Sequence, residues 1–264
     1  MKHYKFLIPC YLLASVSYAS CGSSFCTVNT NWDTQGLSHE SGLLMDLRYS
    51  YAKADQWRAG SSKKATEAPS GSDEEIENKR TINQLVNLNL DYAINRQWGV
   101  MLSVPFIRRD HTHTFDSSVS GPFEQQAKFS EPGDIRIQGK YKFQSVGSDA
   151  GAGIRFGVKL PTGATNKTLS PPDPNDPTST PRLERSAQPG TGSTDALLGA
   201  YYFQNLAGNS AGWFVSGQIQ SAMSTRDEYG PGNELTLDLG MHYEVAESLN
   251  FLLQLNGQHR ARDT

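Results

Sequence analysis

Ten charged residues in this chain fall at spacings that put them on shared faces. Asp46 and Arg48 lie two apart, as do Asp134 and Arg136, and Lys140 and Lys142. Arg155 and Lys159 lie four apart, and Asp91 and Asp238 hold the matching parity in their own segments. In an extended chain, side chains an even number of residues apart project to the same side. The basic members are concentrated in two consecutive segments, 134–143 and 152–161. If those segments are neighbours, Arg136, Lys140, Lys142, Arg155 and Lys159 form a positive wall that focuses field and favours anionic solutes. The same cations can instead pair with Asp46, Asp91, Asp134 and Asp238 as a ladder that only stiffens the interior. The sequence leaves both roles open.

Other reactive residues are less patterned. His111 and His113 share one side of an extended chain beside Asp110 and Asp116, and Asp173, Asn175 and Asp176 offer oxygen ligands in a proline-rich stretch. Neither group carries the spacing of a metal motif, so no metal or other cofactor is expected. No Gly-x-Ser-x-Gly elbow precedes a helix, and the chain is expected not to be an enzyme. An outer-membrane hydrolase is the third-ranked reading.

The elements that must position these residues are strands. Leu43–Tyr51 (LLMDLRYSY), Val86–Ile94 (VNLNLDYAI), Ile135–Phe143 (IRIQGKYKF) and Leu235–Val245 (LTLDLGMHYEV) each alternate an apolar with a polar residue. The predicted strands are 42–52, 82–94, 98–107, 134–143, 152–161, 195–203, 212–222, 234–245 and 249–258. A soluble sandwich alternates too. Three features favour an all-β, transmembrane, antiparallel up-and-down barrel with lipid outside and water inside.

One is the N-terminus. Lys2 and Lys5 precede the apolar run Phe6–Ala19, and Ser17 and Ala19 suit a cut before Ser20, so 1–19 reads as a signal peptide. Another is the connectors. Those at 53–81, 108–133, 162–194 and 223–233 are long, and those at 95–97, 144–151, 204–211 and 246–248 are short, in strict alternation. Outer-membrane barrels sort their extracellular loops and periplasmic turns this way. The last is the recurrence of Tyr49, Tyr51, Tyr92, Trp98, Phe106, Tyr141, Phe143, Tyr202, Phe203, Trp213 and Tyr243 near strand ends, where interfacial girdles form.

Composition agrees. Mean hydropathy is −0.52, which excludes a helical membrane protein but not a barrel with a polar lumen. The net charge of −3 and the lack of a basic patch argue against nucleic acid as a partner. The expected partners are outer-membrane lipid, the barrel assembly machinery and a small-molecule solute, and the expected location is the bacterial outer membrane. Segment 20–41 is expected to be periplasmic, and 42–264 to be the barrel. Cys21 and Cys26 are expected to form a small disulfide loop, with lipidation of Cys21 as an alternative. The odd strand count and the ending at Arg260–Thr264 lead us to expect that closing strands lie beyond this sequence, in a complete barrel of about twelve strands.

Several local signatures also converge on one family. Cys21–Cys26 (CGSSFC) is followed by Asn29-Thr-Asn-Trp32, and Glu131-Pro-Gly-Asp134 leads into the strand ending Lys140-Tyr-Lys-Phe143. Lys159-Leu-Pro-Thr-Gly163 closes the fifth strand, and Gln188-Pro-Gly-Thr-Gly192 opens the sixth. In these the chain resembles the outer-membrane barrels grouped under meta-pathway of phenol degradation. The resemblance implies a transporter passing small, often aromatic or hydrophobic, molecules, with no catalytic residues to carry over. A non-conducting barrel that works through its long loops is the second reading.

Overall fold

The computed structural model describes residues 31–36, 42–55, 58–59, 62–63, 75–117, 121–143, 149–172, 177–178, 180–206, 210–226, 229–246 and 249–264. Its strands are β1 (Gly42–Ala54), β2 (Arg58–Ala59), β3 (Ser62–Lys63), β4 (Glu75–Ala93), β5 (Trp98–Ser117), β6 (Gly121–Pro132), β7 (Ile135–Lys142), β8 (Ala150–Leu160), β9 (Ser193–Leu206), β10 (Ala211–Thr225), β11 (Glu234–Ala246) and β12 (Leu249–Arg260). All but β2 and β3 join one curled antiparallel sheet in the order β1-β4-β5-β7-β8-β9-β10-β11-β12, with β6 also paired to β5. Apart from the β2–β3 ribbon and the break between β6 and β7, each strand therefore pairs with the next along the chain, the up-and-down pattern expected. β2 and β3 make a separate two-stranded ribbon.

The dyad pattern sorts the two faces. Leu43, Met45, Leu47, Tyr49 and Tyr51 of β1 all point outward, and Leu47 keeps 70% of its surface exposed. Leu235, Leu237, Leu239, Met241 and Tyr243 of β11 do the same. So continuous a belt of exposed apolar side chains suits lipid and not water. At the short-turn end it is bounded by rings: Trp98 lies 4.7 Å from Tyr141, and Tyr202 lies 5.3 Å from Trp213. At the other end it stops after Val86 and Phe106. Beyond them the outward face carries Asp110, within 3.7 Å of Arg80 and 3.8 Å of Lys128. Trp98 to Phe106 matches the roughly 9–11 residues that a tilted strand needs to span the hydrocarbon.

Two expectations about chain path need correction. Segment 108–133 was expected to be a loop, yet β5 continues to Ser117 and returns as β6. This hairpin stands outside the apolar belt, where the outward face is polar and the alternation that marks the other strands is lost. β6 and β7 follow one path beside β5, broken at Gly133 and Asp134, where Pro132 supplies no ladder N–H. Phe203, expected in an interfacial girdle, instead points inward and is 4% exposed, packed with Tyr201 and Phe214. Its volume is accommodated because the facing position on β8 is Gly151, where a Cβ would sit 2.5 Å from the ring.

The long connector between β8 and β9 folds back over its own end of the sheet. Leu169, Leu183 and Ala187 pack with Ala127 and Phe129 of β6 and against Ile107. Backbone bonds between Gln126 and Ser170 extend β6 into it. Its two legs touch at Gly163 and Gly190: a Cβ on Gly163 would lie 2.6 Å from the Gly190 Cα. Gly192 takes a positive φ of 71°, which glycine adopts without strain. The two glycine motifs thus bring the connector back across the opening.

Candidate solute path in the barrel lumen

The inward face of the sheet carries the predicted ionisable residues. Register explains their arrangement. Arg136 sits opposite Lys159 and Lys140 opposite Arg155 on the β7–β8 ladder, so like charges face each other directly. Such pairs are unfavourable unless acids intervene. Carboxylates do intervene, at both ends.

At the short-turn end, Lys140 is 6% exposed and its Nζ contacts both Asp91 of β4 and Asp33. Asp33 belongs to a 3₁₀ turn, Trp32–Gln35, capped by Asn31, whose Oδ1 accepts from the Thr34 N–H at 3.2 Å. The described part of segment 20–41, Asn31–Gly36, sits inside the curled sheet. Thr34 and Gln35 are buried, and Asn31 Nδ2 reaches the Met101 sulfur at 2.9 Å. A Cβ on Gly36 would meet the Phe203 ring at 2.7 Å, so this turn rests on the Tyr201–Phe203–Phe214 cluster. Lys142 stands 5.1 Å over the Phe203 ring.

At the long-connector end, Lys159 is 2% exposed. Its Nζ lies 2.6 Å from Asp195 and 3.7 Å from Asp134. Asp195 also accepts from Ser193 Oγ at 2.6 Å and Gln220 Nε2 at 2.6 Å. Asp134 accepts from the Gly163 N–H at 3.0 Å and from the Thr191 N–H at 2.8 Å. One carboxylate thereby ties both legs of the connector to the wall. Higher up, Arg109 donates to Asn83 Oδ1 at 2.5 Å and to the Ala187 carbonyl. Burial pulls the Arg109 pKa down to about 10, so the guanidinium remains charged at neutral pH.

Between these closures lies a chamber of about 550 Å³. Asn31 and Trp32 border it on one side, and Ser186, Gln188, Pro189 and Thr191 on the other. Asp46, Arg48, Asp91, Asp134, Arg136, Arg155, Lys159 and Asp238 line its walls, while Lys140 and Lys142 face the 3₁₀ turn. Arg48 lies 3.9 Å from Asp46, which accepts from Asn89 at 3.0 Å. Arg136 donates to Gln220 at 3.4 Å, and Asp238 accepts from Ser216 at 2.8 Å and Asn256 at 2.6 Å. The chamber carries charges of both signs beside apolar surface, and it lies half open on the inner face of a curled sheet whose outer face is apolar.

Sequence reasoning missed Asp33, Asp195 and Arg109. Asp195 had a usable signal, since it shares parity with Leu197, Gly199 and Tyr201 on β9, all of which face inward. Asp33 had none, because it belongs to no ladder. His111 and His113 point inward above the belt, their rings 5.2 Å apart, with His111 Nδ1 2.8 Å from Thr81 Oγ1. Cys21, Cys26, the signal segment 1–19 and the Asp173–Asp176 group lie outside the described residues.

Among solved structures, the chain is similar to an outer membrane channel from Pseudomonas putida F1, with a TM-score of 0.54 and 14% sequence identity. The match covers 90% of this chain and 79% of that one. At this identity the likeness is one of fold. No protein-family model matches the chain, and no curated protein matches it.

Proposed function

We propose that this chain is an outer-membrane channel that lets small molecules cross passively. The observation that carries the reading is a half-open chamber of about 550 Å³, lined by charged residues of both signs, on the inner face of a sheet whose outer face is a belt of exposed apolar residues. A cavity of this size holds a small organic molecule. A sheet with so apolar an outer face has its stable home in lipid. The solved channel of similar fold supports the same role. The finer parts of the reading are export by the segment 1–19, delivery by the barrel assembly machinery, and a solute that is small and aromatic or hydrophobic. Asp46, Arg48, Asp91, Asp134, Arg136, Arg155, Lys159 and Asp238 then line the solute path, and Lys140 and Lys142 hold its short-turn closure.

The test is current through planar bilayers holding the refolded full-length chain, with liposome flux of uncharged solutes alongside. A steady current or flux supports the channel. A folded protein that passes neither overturns it. The second reading, a non-conducting barrel acting through its long connectors, draws on the double pairing of Lys140 and Lys159 at the two closures.

A further inference from the structure

Arg155 differs from the other inward cations of the spanning strands. Lys140 and Lys159 each contact two carboxylates, Arg48 lies near Asp46, Arg136 donates to Gln220, and Lys142 caps an aromatic ring. Arg155 is 8% exposed, lines the chamber, and has a buried Nε with no hydrogen-bond partner. Among the described residues no carboxylate lies within 4.0 Å of its guanidinium. Asp238 acts on it only through space, and that carboxylate already accepts from Ser216 and Asn256. Holding an arginine in such a place without a partner is unfavourable, because the desolvated charge is not repaid by a pair.

The surroundings leave the guanidinium approachable from the chamber. The inward positions before and after it on β8 are Gly153 and Gly157, and its cross-strand neighbour on β9 is Gly199. Tyr201 fills the space over Gly153 and Gln138 that over Gly157, while the missing Cβ of Gly199 leaves room for the guanidinium, whose Nε lies 3.5 Å from where that Cβ would be. Gln138 and Gln218, joined at 2.9 Å, border the same chamber and offer amide groups to the rest of a bound molecule. A guanidinium presents a planar fork of donors that matches a carboxylate in a two-bonded pair.

We infer that Arg155 is an anion site in the lumen, where the carboxylate of a small organic acid docks on the guanidinium. A single carboxylate supplies the negative charge that the protein leaves out. This deepens the channel reading by naming a solute class, and rests on that reading for its part in transport. The site itself can be tested whether or not the barrel conducts.

The probe is 4-fluorobenzoate, followed by its ¹⁹F resonance on titration into the refolded full-length protein in detergent, with uncharged 4-fluorobenzamide as the control for partitioning into micelles. We expect saturable broadening for the acid and none for the amide. R155M should raise the half-saturating concentration by about tenfold or more, the usual worth of a charge-assisted pair. R155K, which keeps the charge but not the fork and preserves the fold if R155M does not, should raise it by about threefold or more. Acid binding that is equal in the wild type and in a folded variant, or that the amide reproduces, overturns the inference. Bilayer current on the same preparations is read separately. Current without Arg155-dependent binding defeats only the site, and binding without current or flux defeats only the channel.

Discussion

The two ends of the lumen use the same chemistry, a buried lysine between two aspartates, to different ends. Lys159 bonds Asp195 of the adjacent strand and Asp134 at the β6–β7 break, so its acids belong to the wall and connector it already abuts. Lys140 bonds Asp91 of the wall and Asp33, which is 107 residues distant and belongs to a turn that enters no ladder. The first cluster completes the sheet, and the second fastens a separate piece of chain to it. A buried pair is worth little against an apolar substitute but much against the loss of one partner. The structural consequence therefore depends on what the partner is attached to.

Removing Lys159 should have the largest effect. K159M leaves Asp134 and Asp195 buried side by side without a cation, at a cost of roughly 3–5 kcal/mol. The loss should appear in urea unfolding of the barrel in lipid vesicles, followed by heat-modifiable gel migration. A cost below about 1 kcal/mol would mean that Asp134, through its bonds to Gly163 and Thr191, holds the connector unaided. R109M probes the same end by a neutral route. It removes the donor to Asn83 and to the Ala187 carbonyl, and should destabilise by about 1–3 kcal/mol in the same assay.

At the other end, D33N should barely move global unfolding, by about 1 kcal/mol or less, because Lys140 keeps Asp91 and the ladders are intact. Its effect should be local. Amide exchange at Thr34 and Gly36 should accelerate at least tenfold in D33N while the β9 and β10 amides stay protected. Equal acceleration across β9 and β10 would erase the contrast, since the turn would then be part of the wall.

How much of this was legible beforehand follows the same division. The strands crossing the apolar belt were readable because lipid and lumen impose opposite demands on alternate residues. Leu43 to Tyr51 and Leu235 to Val245 needed no tertiary information. The β5–β6 hairpin was not readable, because outside the belt Arg108, Asp110, Arg109 and His111 are polar on both faces. β9 misled in the opposite way: Tyr201 and Phe203 are apolar and inward, since the short-turn closure packs on them. The inward placement of the basic residues on β7 and β8 follows from parity. Which acid meets which base does not, because Asp33 arrives from outside any ladder and the Asp134 carboxylate is set by a break in one.

A third cluster, on the surface, gives the smallest expected effect and calibrates the two buried ones. Asp263 accepts from the Gly232 N–H at 2.9 Å, the Tyr229 hydroxyl at 2.5 Å and Arg260 at 2.8 Å. Partial burial pushes its carboxyl up, but these donors and the Arg260 charge outweigh it and hold the pKa below the usual carboxylate value. Tyr229 is pushed up to about 12, first by burial and then by Asp263, so it stays a neutral donor. A carboxyl depressed in the folded state stabilises it fully above its unfolded pKa of about 3.9, and the contribution disappears as pH falls through the lower folded value. Because the cluster is half exposed, that contribution is at most about 1 kcal/mol. Protection of the Gly232 amide should therefore be constant from neutrality down to about pH 4 and decline below it, and D263N should remove the decline. A decline already complete at pH 5 would mean that the carboxyl is not depressed. The surface cluster would then have lost the donors that make it comparable with the lysine-centred pairs inside.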